Sequence, residues 1–166
     1  KKVGGDLIEV EVIVPSGTDP HSFEPSPKVL AKLQQADVFI YNGLGIEPWI
    51  EGVLDLLKDK NVVIIEASEG LDLIEYNVKE DHAEEDEHKD HNHDHEDYDP
   101  HIWMDPFNAQ KIAEKIKEAF VELNPDNIGT YEGNFISFQK QLEKLDEDFK
   151  EGLKDAVGKK IIVSYS

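Results

Sequence analysis

Two of the seven histidines sit in identical tripeptides, Asp19-Pro20-His21 and Asp99-Pro100-His101. Proline locks φ near about −65° and removes a backbone donor, so each imidazole is presented from a stiff turn. Stiffness suits a metal site, because nitrogen ligands held near the ~2.0–2.1 Å zinc–nitrogen distance need little further ordering when the ion arrives. A lone histidine of this kind reads first as a turn residue whose ring bonds a nearby carbonyl. The repetition shifts the balance toward metal ligation by His21 and His101. His101 runs on into Ile102-Trp103-Met104-Asp105-Pro106, where a second Asp-Pro predicts a helix start. Asp105 is expected to cap that helix and Trp103 to pack beneath the site; direct metal ligation by Asp105 is the lesser alternative.

The other five histidines, His82, His88, His91, His93 and His95, lie within residues 80–99, among eleven acids and one lysine. That local charge of −10 is half of the chain's formal −20. With only Ala83 and Tyr98 to pack, the segment is expected to be a mobile loop. Imidazoles mixed with carboxylates suit borderline ions such as zinc, copper or nickel better than magnesium or calcium, so the loop reads as an auxiliary collector of metal. The bland alternative is a solvated acidic linker, which accounts poorly for His91-Asn92-His93-Asp94-His95.

Composition narrows the remaining classes. Seventeen basic against 37 acidic residues repel nucleic acid phosphates and anionic lipids and attract cations. At 166 residues the chain holds one core of ordinary size. No run approaches the ~18 consecutive apolar residues of a membrane helix. The absence of cysteine leaves no thiolate site to consider. A metal-dependent hydrolase is the enzymatic rival, since histidine pairs also occur in catalytic zinc sites. It requires an open coordination position and a general base in reach, and no HExxH helix, nucleophile elbow or phosphate-cradling glycine loop is present. A histidine-rich metal buffer or chaperone would use the loop but has little need of the two rigid turns.

The elements that must position these residues follow from periodicity. Residues 9–14 alternate and then become wholly apolar, predicting a first strand. Ser26-Pro27 predicts a helix start, with Val29, Leu30 and Leu33 on its apolar face up to Ala36. Residues 38–41 and 62–65 are short apolar runs of the kind buried on both faces; between them Ile46, Ile50, Val53, Leu54 and Leu57 recur at helical spacing. The order βαβαβ implies an α/β lobe on a parallel sheet with right-handed crossovers. Such a sheet would deliver both Asp-Pro-His turns to one rim, so that the rings of His21 and His101 converge. Ala109 to Leu123 predicts a further helix. From Pro125 to Asp155 the apolar positions step by threes and fours, predicting one helix roughly 45 Å long. The expected organisation is an amino-terminal α/β metal-binding lobe over 1–124, a long linking helix over 125–157, and the start of a second lobe over 158–166. The apolar run that begins at Ile161 reads as a strand interrupted by the end of the sequence.

Four stretches together resemble a known family: Gly4-Gly5-Asp6; residues 14–27, which include Asp19-Pro20-His21; Tyr41-Asn42-Gly43-Leu44-Gly45-Ile46-Glu47-Pro48-Trp49; and Asp99 to Pro106. They are similar to the cluster A-I metal receptors of the ZnuA and TroA type. The resemblance implies two α/β lobes joined by one rigid helix, with a transition metal held in the cleft between them. It implies a non-enzymatic, extracytoplasmic solute-binding protein that captures Zn²⁺, or alternatively Mn²⁺, and delivers it to the permease and ATPase of a metal-uptake ABC transporter. It maps the family's first two histidine ligands onto His21 and His101, and it matches the loop with the insertion found in zinc-type members. This sequence departs from the pattern at Tyr165, which falls at or beside the place of the third histidine; the fourth ligand, a carboxylate, would lie past Ser166. Association of two copies to complete a site is left open.

Deleting residues 81–96 is expected to remove weak, rapidly exchanging equivalents of bound zinc while one tight site persists in the full receptor. Calorimetric titration checks this, and loss of the tight site would make the loop the primary binding element.

Overall fold

The computed structural model describes residues 1–75 and 98–160. The five loop histidines, and the terminal run that contains Tyr165, lie outside the described residues. At the centre is a parallel pair of strands, β1 (Val38–Tyr41) and β2 (Val63–Glu66), in register Val38↔Val63 through Tyr41↔Glu66. The crossover between them carries helix α2 (Ile50–Leu57), whose Val53 and Leu57, one helical turn apart, are almost fully buried. Helix α1 (Pro27–Leu33) begins as its sequence predicts: Ser26 Oγ accepts the Val29 N–H and proline occupies the first turn. Leu33, Phe39, Val53 and Leu57 form the core of this half, flanked by Ile13, Trp49 and Val62.

Two long helices build the other half. Helix α3 (Pro106–Leu123) ends where Asn124 leaves the helical region ahead of Pro125. A short 3₁₀ turn, Pro125–Asn127, leads into α4 (Ile128–Leu153), whose 26 residues span about 39 Å at ~1.5 Å each. Of the single helix predicted from Pro125 to Asp155, residues 128–153 are α-helical, with a 3₁₀ turn at either end. Its amino-terminal half lies along α3 through Tyr131 and Phe135, with Phe120 against the Tyr131 ring at 5.6 Å. Val3 completes that cluster, and Asn134 Nδ2 donates to the Val3 carbonyl at 2.9 Å. A third cluster, Leu44, Ala67 and Ile102, joins the two halves. There Glu75 and Tyr98 form an antiparallel bridge and the Asp99 N–H donates to the Ile74 carbonyl at 2.8 Å.

One expected element is absent among the described residues: 9–14 form no strand. Ile13 packs on the core, whereas Val10 and Val12, the apolar members of the alternation, are exposed. A strand also requires a partner within hydrogen-bonding reach. Here a cleft of about 410 Å³, lined by residues 10–14 on one side and Phe39, Ile40 and Tyr41 on the other, separates the segment from β1. The α/β class and the parallel sheet stand; the sheet of the described residues is two-stranded rather than three-stranded.

Leu57→Ala, at a side chain only 1% exposed, should cost about 2–5 kcal/mol in urea unfolding. Val157→Ala, 85% exposed, should stay within about 0.5 kcal/mol. Equal costs would mean that the β1/α2 core does not govern stability.

Candidate metal centre

The two Asp-Pro-His turns fold alike. Asp19 Oδ1 accepts the His21 N–H at 3.0 Å, and Asp99 Oδ1 accepts the His101 N–H at 2.9 Å. Each aspartate therefore closes its own turn, with the proline between fixing φ and offering no competing donor. The turns differ in what surrounds them. His21 is exposed on a single 3₁₀ turn, Pro20–Ser22. His101 is half-buried, and its Nδ1 lies 2.7 Å from Asp99 Oδ1. An ionised carboxylate can only accept, so this contact places the ring proton on Nδ1 and leaves the Nε2 lone pair for a metal. The Trp103 ring, expected to pack beneath the site, meets the His101 ring edge-on with centroids 5.4 Å apart and stays half-exposed. Asp105 caps α3 by accepting the Phe107 N–H at 2.7 Å, which is the role its position predicts.

Both turns are seated on residues 42–49, the segment that leaves the carboxyl end of β1. Phe23, two residues after His21, packs edge-on against Trp49 with centroids 6.1 Å apart. On the other turn, Asn42 Nδ2 donates to the Pro100 carbonyl at 3.0 Å. The seat is itself tightly fixed. Glu47 accepts the backbone N–H of Asn42 at 2.8 Å and of Gly43 at 3.2 Å. Gly43 at φ 84°, Leu44 at φ 57° and Gly45 at φ 76° make the reversal, and a β-carbon on Gly43 would collide with Glu66 and Ser68. Beneath it Glu66 accepts from Tyr41 Oη at 2.8 Å and from Ser68 Oγ at 2.8 Å.

Charge is arranged around this frame. Burial pushes the Glu47 carboxyl up from its ordinary value, an effect opposed by the two N–H groups it accepts. Burial first, and then the bond to Glu66, raises the Tyr41 hydroxyl, which stays a donor. Burial lowers the Lys115 ammonium, which caps the end of β2 by donating to the carbonyls of Glu66 at 3.1 Å, Ala67 at 3.2 Å and Glu69. His101 opens on a cleft of about 430 Å³ whose lining includes Asp72, Asp99, Asp105 and Asp146. Four carboxylates around one imidazole favour the approach of cations. Among the described residues no three His, Asp or Glu side chains gather into a complete ligand set.

The whole chain, residues 1–166, matches the family model described as zinc-uptake complex component A, periplasmic. The chain belongs to this family. It is 35% identical over its full length to the zinc-binding lipoprotein AdcA of Streptococcus pneumoniae R6, covering 32% of that protein. It is likewise 35% identical to the high-affinity zinc uptake system protein ZnuA of Bacillus subtilis, covering 51% of it. A crystal structure of ZnuA superposes with a TM-score of 0.78 at 33% identity, over 99% of this chain and 57% of that one. Zn(II)-bound AdcA of Streptococcus pneumoniae superposes with a TM-score of 0.74 at 34% identity, over 92% and 29%. The chain thus spans between a third and a half of the length of these curated relatives. No described helix is long and apolar enough to cross a membrane.

Sequence reasoning named the histidines and the cap but gave no role to Asp19, Asp99, Asn42 or Glu47. The repeated aspartate was a usable signal for the first two. For Asn42 and Glu47 the signals were their place in a stretch that carries the family resemblance and the closely spaced Gly43 and Gly45, which mark a tight turn without saying what rests on it.

The raised Glu47 group gives a pH test. The folded state holds this proton more tightly than the unfolded chain, so its contribution is complete below the unfolded pKa of about 4.3 and is lost as pH rises through the raised folded value. Glu47→Gln cannot titrate there. The stability of the wild type relative to this variant should therefore fall from about pH 4 toward neutrality, as read from urea unfolding curves. A difference that grows with pH would contradict the burial assignment.

Proposed function

We propose that this chain supplies the histidine-bearing part of an extracytoplasmic receptor that captures Zn²⁺ and passes it to the permease and ATPase of an uptake transporter. The observation that carries the proposal is the duplicated brace. Two Asp-Pro-His turns, distant in sequence, close on their own aspartates with the same geometry and rest on the same β1-exit segment. Such pre-orientation serves ligands that must be ready before the ion arrives. His21 and His101 are the proposed ligands from this part, His101 through Nε2.

The remaining ligands come from further parts of the receptor, in keeping with relatives two to three times longer and with the absence of a complete set among the described residues. Helix α4 is proposed to carry the connection, linking the lobe of residues 1–124 to a second one and limiting how far the two can move. His82, His88, His91, His93 and His95 would act as collectors beside the tight site. The protein has no catalytic role in this reading, and its partners are the ion and the transporter. Zinc is preferred over manganese because the named relatives are zinc proteins and because imidazole donors favour zinc in the usual divalent order.

In the longest natural chain containing these residues, His21→Ala and His101→Ala should each weaken Zn²⁺ binding by more than about 100-fold, beyond what loss of a supporting contact costs. Each should also reduce the visible absorption of bound Co²⁺, and Zn²⁺ should displace Mn²⁺ at equal free concentration. Unchanged affinity in either variant would remove that histidine from the site.

A further inference from the structure

Asn42 is bonded through its backbone N–H, its backbone carbonyl and its side-chain amide nitrogen. Its backbone N–H goes to Glu47 Oε1 at 2.8 Å, and its carbonyl accepts the Ser68 N–H at 3.1 Å, prolonging the β1–β2 ladder past Tyr41. Its side-chain amide donates to the Gly43 carbonyl at 3.1 Å and to the Pro100 carbonyl at 3.0 Å. The backbone of this residue is thus anchored to the sheet, and the side chain reaches across 58 positions of sequence to the second Asp-Pro-His turn.

The bond to Pro100 bears directly on His101. A peptide unit is planar, so the Pro100 carbonyl and the His101 N–H are rigidly opposed. Asn42 holds the carbonyl side of that plane and Asp99 Oδ1 holds the N–H side at 2.9 Å. With both sides held, rotation of the unit is blocked, and with it the direction in which the His101 side chain leaves the backbone. The same Asp99 oxygen then meets Nδ1 at 2.7 Å and sets the ring.

We infer that Asn42 is a positioning residue for His101, delivering its imidazole to the metal in a fixed direction through the Pro100 carbonyl; this rests on the reading of His101 as a zinc ligand. Glu47 supports it from behind by holding the Asn42 and Gly43 amides. Among the described residues no comparable side chain holds the His21 turn, where the link to the seat is the aromatic contact of Phe23 with Trp49.

The test uses the longest natural chain that contains these residues. Asn42→Asp keeps the shape but removes the donor, and Asn42→Ala removes the donor without adding charge, so that one serves if the other folds poorly. Zn²⁺ affinity is read by competition with a chromophoric chelator, the ligand field by Co²⁺ absorption, and folding by thermal melting without metal. The expected result is a loss of about 10–100-fold in Zn²⁺ affinity with altered Co²⁺ bands in whichever variant melts like the wild type. Unchanged affinity, or a loss that tracks melting while the Co²⁺ bands stay as in the wild type, overturns the role of Asn42. His101→Ala run alongside separates the two levels: no loss there defeats the zinc reading itself, whereas a large loss there with none at Asn42 defeats only this inference.

Discussion

A histidine backbone N–H bonded to the carboxylate two residues earlier is the interaction on which the candidate centre depends. It occurs twice, at 3.0 Å from His21 to Asp19 and at 2.9 Å from His101 to Asp99. Charge-assisted bonds of this kind are stronger than neutral ones, and the intervening proline removes the conformations that would compete with them. The rest of the fold gives these small closed turns a place to stand. The parallel register of β1 and β2 fixes where the chain exits at Asn42, and the positive-φ stretch 43–45 turns it so that Trp49 lies under one turn and Asn42 under the other.

The two turns are held with different stringency. Among the described residues His101 has a ring partner, an aromatic neighbour and a long-range tether, while the exposed His21 is braced through its backbone alone. In the proposed receptor such asymmetry would be useful: His101 would define the direction of approach, and His21 would retain side-chain freedom to complete the shell. The carboxylates lining the His101 cleft act at longer range, and two of them, Asp72 and Asp146, are partly neutralised by Lys111 and Lys150 at 3.1 and 2.6 Å.

Much of this was legible in sequence wherever a local rule decides the outcome. Ser26-Pro27 and Asp105-Pro106 announced helix starts because capping involves only residues within one turn, and α4 could be followed through its threes-and-fours spacing. Residues 9–14 were misjudged because alternation reports two faces, not the presence of a neighbour. Asn42 was overlooked for a related reason: its partner, Pro100, is near only once the third cluster has brought β1's exit against the 98–102 segment. Local chemistry is written in neighbouring letters, whereas a tether between distant turns is written only in the fold.

The cleft beside β1 has a colloidal consequence. Among the described residues the outer edge of β1 has no strand partner, and Ile40 on it is 40% exposed beside the apolar rows of Val10 and Val12. An open, apolar strand edge is a template for pairing between molecules. What opposes this is the formal charge of −20, a repulsion that acts over about 10 Å at ~0.1 M salt and shrinks as salt is added. In dilute electrolyte this repulsion should keep the molecules dispersed, and a concentrated brine, or enough bound divalent ion to discharge the surface, should uncover the adhesive edge that the acidity had kept apart.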